Sequence, residues 1–124
     1  MKLSTREFAK LVEQALVDIP EPFAGYLQDV AVDVEPLPTA RVCREMDVDD
    51  PSELLGLYEG VPLTERSVEE LPRMPDRIIL YQRNIEEMCE SREEIVEEIR
   101  TTVLHEVGHH FGLDEDDLEE LGYD

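Results

Sequence analysis

The run Thr102-Val103-Leu104-His105-Glu106-Val107-Gly108-His109-His110-Phe111-Gly112-Leu113-Asp114 carries more structural information than any other part of this sequence. It contains His-Glu-x-x-His followed by x-x-Gly. On an α-helix, residues four apart stand about one turn apart on one face. Imidazoles so placed can grip one Zn²⁺, and the Glu beside the first His can act as general base on a metal-bound water. The pattern therefore assigns His105 and His109 as metal ligands and Glu106 as the catalytic base.

Working towards the N-terminus, Ser91 and Glu94 read as a capping-box pair that opens a long helix. Its apolar positions Ile95, Val96, Ile99, Val103, Leu104, Val107 and Phe111 cover one broad face. At about 100° per residue, His105 and His109 fall roughly 40° apart on the opposite side, where core histidines would not sit. His110 lies within the apolar arc, so it is expected to be a packed or hydrogen-bonded supporting residue. Gly112 stands where a left-handed glycine ends a helix and reverses the chain.

That reversal matters because a zinc site with an open position needs three protein ligands. The acids Asp114, Glu115, Asp116 and Asp117 follow the turn. Glu115, three residues past Gly112, is the first choice as third metal ligand, with Asp114 and Asp116 as its neighbours. As a group, these acids are also what an N-terminal helix turn prefers. Leu118 and Leu121 would anchor a short final helix.

The remaining chain reads as helices and strands around this element. Arg77–Arg83, with Ile78, Ile79, Leu80 and Tyr81, is the strongest strand, either internal or at an edge that could accept an extended peptide. Tyr81 is expected to pack rather than to stabilise an oxyanion. A short helical stretch begins at Asn84. Leu54–Val61 is a second strand, and 67–75, with its two prolines, a loop with one helical turn. Residues 40–53 are acidic and irregular and are expected to be a solvated loop. Val30, Val32 and Val34 alternate with Ala31, Asp33 and Glu35, which predicts a strand with one buried face. Ser4 and Glu7 cap an amphipathic helix through Phe8, Leu11, Val12, Ala15 and Leu16 that stops near Pro20. Pro22–Leu27 allows one further helical turn.

The bulk numbers bound the partners. A chain of 124 residues suits a single domain, 1–124. Thirty-two acids against eleven bases give a formal charge of −21, while 41% apolar residues allow a core. Such a surface repels phosphate backbones and anionic membranes and favours metal cations and basic peptides. Cys43 and Cys89 match no paired motif and are expected to be packing residues. No apolar signal core or membrane-length segment is seen, so the expected compartment is the cytoplasm.

The 102–114 stretch, together with Leu55-Gly56-Leu57-Tyr58-Glu59-Gly60-Val61-Pro62-Leu63 and Arg77-Ile78-Ile79-Leu80-Tyr81, resembles the minimal zincin-like metallopeptidase family of small bacterial proteins. The resemblance implies an α+β, zincin-like fold, with a small mixed sheet packed on an N-terminal helix and a long C-terminal active-site helix. It implies His105 and His109 as zinc ligands, Glu106 as base and an acid after Gly112 as third ligand. Larger metzincins carry His where this chain has Glu115, and no Met follows Met88 to form their methionine turn.

The expected function is zinc-dependent hydrolysis of peptide bonds, with peptide or protein substrates, basic ones suiting the charge. The alternative is a non-catalytic metal-binding or protein-interaction module on the same fold. A metal-dependent ribonuclease with a similar His-bearing helix fits less well, because its family lacks Glu after the first His and the present chain is strongly anionic.

Overall fold

The computed structural model describes residues 1–17, 19–60 and 76–121, without the side chains of Glu115 and Leu121. Helices α1 (Thr5–Leu16) and α2 (Phe23–Tyr26) precede strand β1 (Val30–Glu35). Helix α3 (Ala40–Glu45), a 3₁₀ turn (Pro51–Glu53) and strand β2 (Gly56–Glu59) follow. Strand β3 (Asp76–Tyr81) leads into α4 (Gln82–Glu87), α5 (Arg92–His110) and α6 (Glu115–Leu121). The sheet order is β1-β3-β2, with β1 parallel and β2 antiparallel to β3. This is the α+β arrangement expected: a three-stranded mixed sheet packed against the N-terminal helix and the long α5.

β3 is the internal strand, and period-2 alternation sorts its side chains to two faces. Ile78 and Leu80 enter the main core with Phe8, Phe23, Ile95, Ile99, Val103, Leu104 and Val107. Ile79 and Tyr81 enter a smaller core with Leu57, flanked by Val42 and Leu54. On the solvent side Arg77 bridges the sheet, reaching Glu59 at 2.8 Å and Asp33 at 3.1 Å.

α1 has the full reciprocal capping box: Ser4 Oγ accepts from Glu7 N–H and Glu7 accepts from Ser4 N–H. Its apolar side, Phe8, Leu11, Val12 and Ala15, is buried. It is tied to α5 by an Arg92–Glu7 ion pair at 2.8 Å and by Arg100 Nε donating to the Ala15 carbonyl at 3.0 Å. At α5 the box is incomplete. Ser91 Oγ accepts from Glu94 N–H, but the Glu94 carboxylate accepts from Glu90 N–H, one residue earlier than expected.

Two sequence readings are corrected. Residues 40–53 are not an irregular loop: Thr39 Oγ1 caps α3 by accepting from Val42 N–H at 3.1 Å, and Asp50 caps the 3₁₀ turn. α3 is held because Val42 packs on the smaller core. The β3 strand ends at Tyr81 rather than Arg83, because α4 begins at the next residue. Buried Gln82 and Glu86 already hydrogen-bond Leu3 there and anchor the N-terminal segment. The expected loop at 67–75, and Val61 of the expected second strand, lie outside the described residues.

Candidate metal and catalytic site

The site is built on the last turns of α5. Ile95, Val96, Ile99, Val103, Leu104 and Val107 bury the core-facing side. That orientation leaves His105 half-buried and His109 exposed. Their Nε2 atoms converge to 3.1 Å, with the rings edge-to-face at 76°. Two nitrogens each at the usual distance from a tetrahedral Zn²⁺ stand roughly 3.3 Å apart. The pair thus has the bite that a shared ion requires.

Glu106 is half-buried between α5 and β2. Burial raises its pKa; the adjacent His105 and His109 and a hydrogen bond from the Tyr58 N–H oppose the rise. A carboxylate held more basic than usual beside the imidazoles can take up a proton. The Tyr58 amide lies near it on the neighbouring strand, a proximity that sequence spacing could not reveal.

The end of α5 is a Schellman reversal. Leu113 N–H donates to the Gly108 carbonyl at 2.8 Å and Gly112 N–H to the His109 carbonyl at 3.1 Å. Gly112 sits at φ +90°, in the left-handed region. Beyond it, Leu118 of α6 is fully buried, and Gly108 lets it approach closely: a Cβ there would lie 2.7 Å from Leu118 Cδ2.

The acids after the turn divide. Asp114 and Asp117 cap α6 reciprocally: Asp117 N–H donates to Asp114 Oδ1 at 2.9 Å and Asp114 N–H to Asp117 Oδ2 at 3.1 Å. Glu115 is the first residue of α6, and its side chain lies outside the described residues; Asp116 is exposed. Among the described residues no group of three His, Cys, Asp or Glu side chains converges. The structure brings together His105 and His109, with Glu106 beside them.

His110 takes the supporting place. Its side chain is 6% exposed, 3.6 Å from Asp76 Oδ2. Its ring stacks on Tyr58 at 3.9 Å, and Tyr58 Oη donates to the same Asp76 Oδ2 at 2.9 Å. Tyr81 is fully buried in the smaller core, its hydroxyl without a hydrogen-bond partner among the described residues, so it packs rather than facing the site. Cys43 and Cys89 are buried free thiols.

A cleft of about 270 Å³ opens from His105 and Glu106 along α5 past Thr102, Thr101 and Glu98, walled by Glu53–Gly56. Nothing in the motif pointed to it, because its far wall arrives through the sheet. That wall is pinned by Asn84, whose buried amide donates to the Pro51 and Leu54 carbonyls, both at 2.7 Å.

No helix of the described residues is long and apolar enough to cross a membrane. Comparison with curated proteins gives no match. The sequence model of one family, described as zincin-like metallopeptidase, matches residues 27–123, which span β1 to α6 and the whole of the site. The chain belongs to the zincin-like metallopeptidase family.

Proposed function

We propose that this protein is a zinc-dependent peptidase, with His105, His109 and Glu115 holding the ion and Glu106 as general base. The observation that carries the proposal is the 3.1 Å approach of the two Nε2 atoms on the same helix turn as the half-buried Glu106 carboxylate. Two imidazoles and a carboxylate suit Zn²⁺. When bound, that ion supplies Lewis acidity, polarising a peptide carbonyl and acidifying water.

The chain's own groups do the rest. Glu106, raised by burial, takes a proton at its free carboxylate oxygen and returns it to the departing amine. The stacked Tyr58 and His110 rings brace the strand that runs beside Glu106. Gly112 turns the chain so that Glu115 opens the next helix. The charge of −21 favours peptides that carry Lys or Arg over anionic ones.

Glu106→Gln is expected to retain zinc and lose turnover of a peptide library by at least about a hundredfold. His105→Ala is expected to lose the zinc itself, measured by metal analysis of the purified chain. Full activity in Glu106→Gln refutes the mechanism. One observation favours the non-catalytic alternative: Asp114 and Asp117 are committed to capping α6. Zinc-loaded protein that leaves every library peptide intact, yet loses thermal stability on chelation, decides for that alternative.

A further inference from the structure

We propose that the cleft beside His105 and Glu106 is a specificity pocket for a Lys or Arg side chain, with Glu98 as its anionic end. The proposal rests on the peptidase reading for the identity of the ligand as a peptide, and adds which side chain it presents and where.

Three features make the pocket. First, Glu98, Thr101, Thr102 and His105 line one side of it from successive turns of α5. Glu98 stands seven residues before His105, so the two share a face roughly 10 Å apart along the axis. That span suits a long, unbranched side chain with its backbone at the histidines, and is too long for Ser, Ala or Asp. Second, Leu54 and Leu55 supply apolar wall for an aliphatic stem, while Asn84 holds that segment in place. The wall lies close to the helix because Gly56 has no side chain; a Cβ there would meet Thr102 Cγ2 at 2.7 Å.

Third, the carboxylates await a partner. Glu98 and Glu53 line the same space, and neither carboxylate has a cation partner among the described residues. By contrast Glu97, one residue away and outside the cleft, is paired with Arg100. A guanidinium or ammonium entering the cleft meets a carboxylate that has no cation partner among the described residues.

The test reads binding without turnover. The full-length chain, kept in chelator, is titrated with acetyl-Ala-Ala-Lys-Ala-Ala-amide and with its norleucine counterpart, following backbone amides by NMR. The lysine peptide is expected to shift Gly56, Thr101 and Thr102 and to bind at least about fivefold tighter than the norleucine peptide. Glu98→Gln is expected to erase that preference, and Glu98→Lys to reverse it towards a Glu-bearing peptide. Glu93→Gln, exposed on the same helix outside the cleft, removes the same charge and is expected to leave the preference intact. Equal affinity for the two peptides, or equal effects of Glu98→Gln and Glu93→Gln, overturns the pocket and reduces the preference to overall charge. A zinc-loaded chain that cleaves no peptide of the library refutes the peptidase reading alone, because the titration decides the pocket separately.

Discussion

Glu86→Ala should destabilise the protein severely without touching the histidine pair. Glu86 is 3% exposed on α4. Its Oε2 accepts from Leu3 N–H at 3.0 Å and from Gln82 Nε2 at 2.8 Å, and its Oε1 from Arg83 Nη1 at 2.7 Å. Truncation orphans the Leu3 amide in the interior, for about 1–3 kcal/mol. Gln82 and Arg83 keep the Leu3 carbonyl as acceptor, and Arg83 is partly exposed, so each loses less. The total is about 3 kcal/mol, a fall in Tm of roughly 10 °C for a chain of this size. Urea denaturation followed by far-UV circular dichroism measures it.

The pH dependence has a defined sign. Burial alone would raise the Glu86 pKa, but the hydrogen bonds from Gln82, Arg83 and Leu3 overcome it and hold the carboxyl below its ordinary 4.5. A depressed carboxyl stabilises fully above that ordinary value and loses its contribution as pH falls through the folded-state pKa. The stability gap between wild type and Glu86→Ala should therefore narrow as the solution is acidified below 4.5. A gap under about 1 kcal/mol at neutral pH, or one that widens in acid, refutes the reasoning.

Two other perturbations follow from single features. Gly112→Ala places a Cβ at φ +90° with nothing within 4 Å, so its cost is conformational alone, about 1–2 kcal/mol in denaturation, with weakened zinc retention if the reversal positions a ligand. Tyr81→Phe removes a buried hydroxyl that has no partner among the described residues and should leave the protein as stable or about 1 kcal/mol more so. Burial, with the charges of Glu35 and Glu59, pushes Tyr81 from 10.0 to about 12, so wild type loses stability as pH rises through that window and the Phe variant loses less.

The site helix was legible because three signals agree along it. Ser91 starts α5, the apolar spacing turns His105 and His109 away from the core, and Gly112 ends it with the expected left-handed turn. β1 and β3 were legible from alternation and from aliphatic density. α3 was not, since within an acidic stretch only Val42 and Cys43 mark its buried side, and the small core that receives Val42 exists only once β2 and β3 pair. The β3–α4 boundary was blurred because strand passes to helix without a Gly or Pro between Tyr81 and Gln82. In the acidic run, capping and coordination ask for the same residue types. Only coordinates show that Asp114 and Asp117 cap each other's backbone. The amide beside Glu106 and the wall facing Thr102 come from residues some fifty positions earlier, beyond any local pattern.

The Tyr58–Glu106 contact has a second effect, on self-association. Among the described residues β2 is an outer strand of the sheet, and outer strands offer unsatisfied amides on which another molecule's strand can template aggregation. Here the Glu106 carboxylate of α5 lies near one such amide, that of Tyr58, which places a negative charge where an intruding backbone would dock. Removing that side chain altogether would strip a safeguard against fibril-like pairing along with any chemistry. Glutamine keeps an oxygen for the amide, so it separates loss of proton transfer from loss of solubility, which alanine would confound.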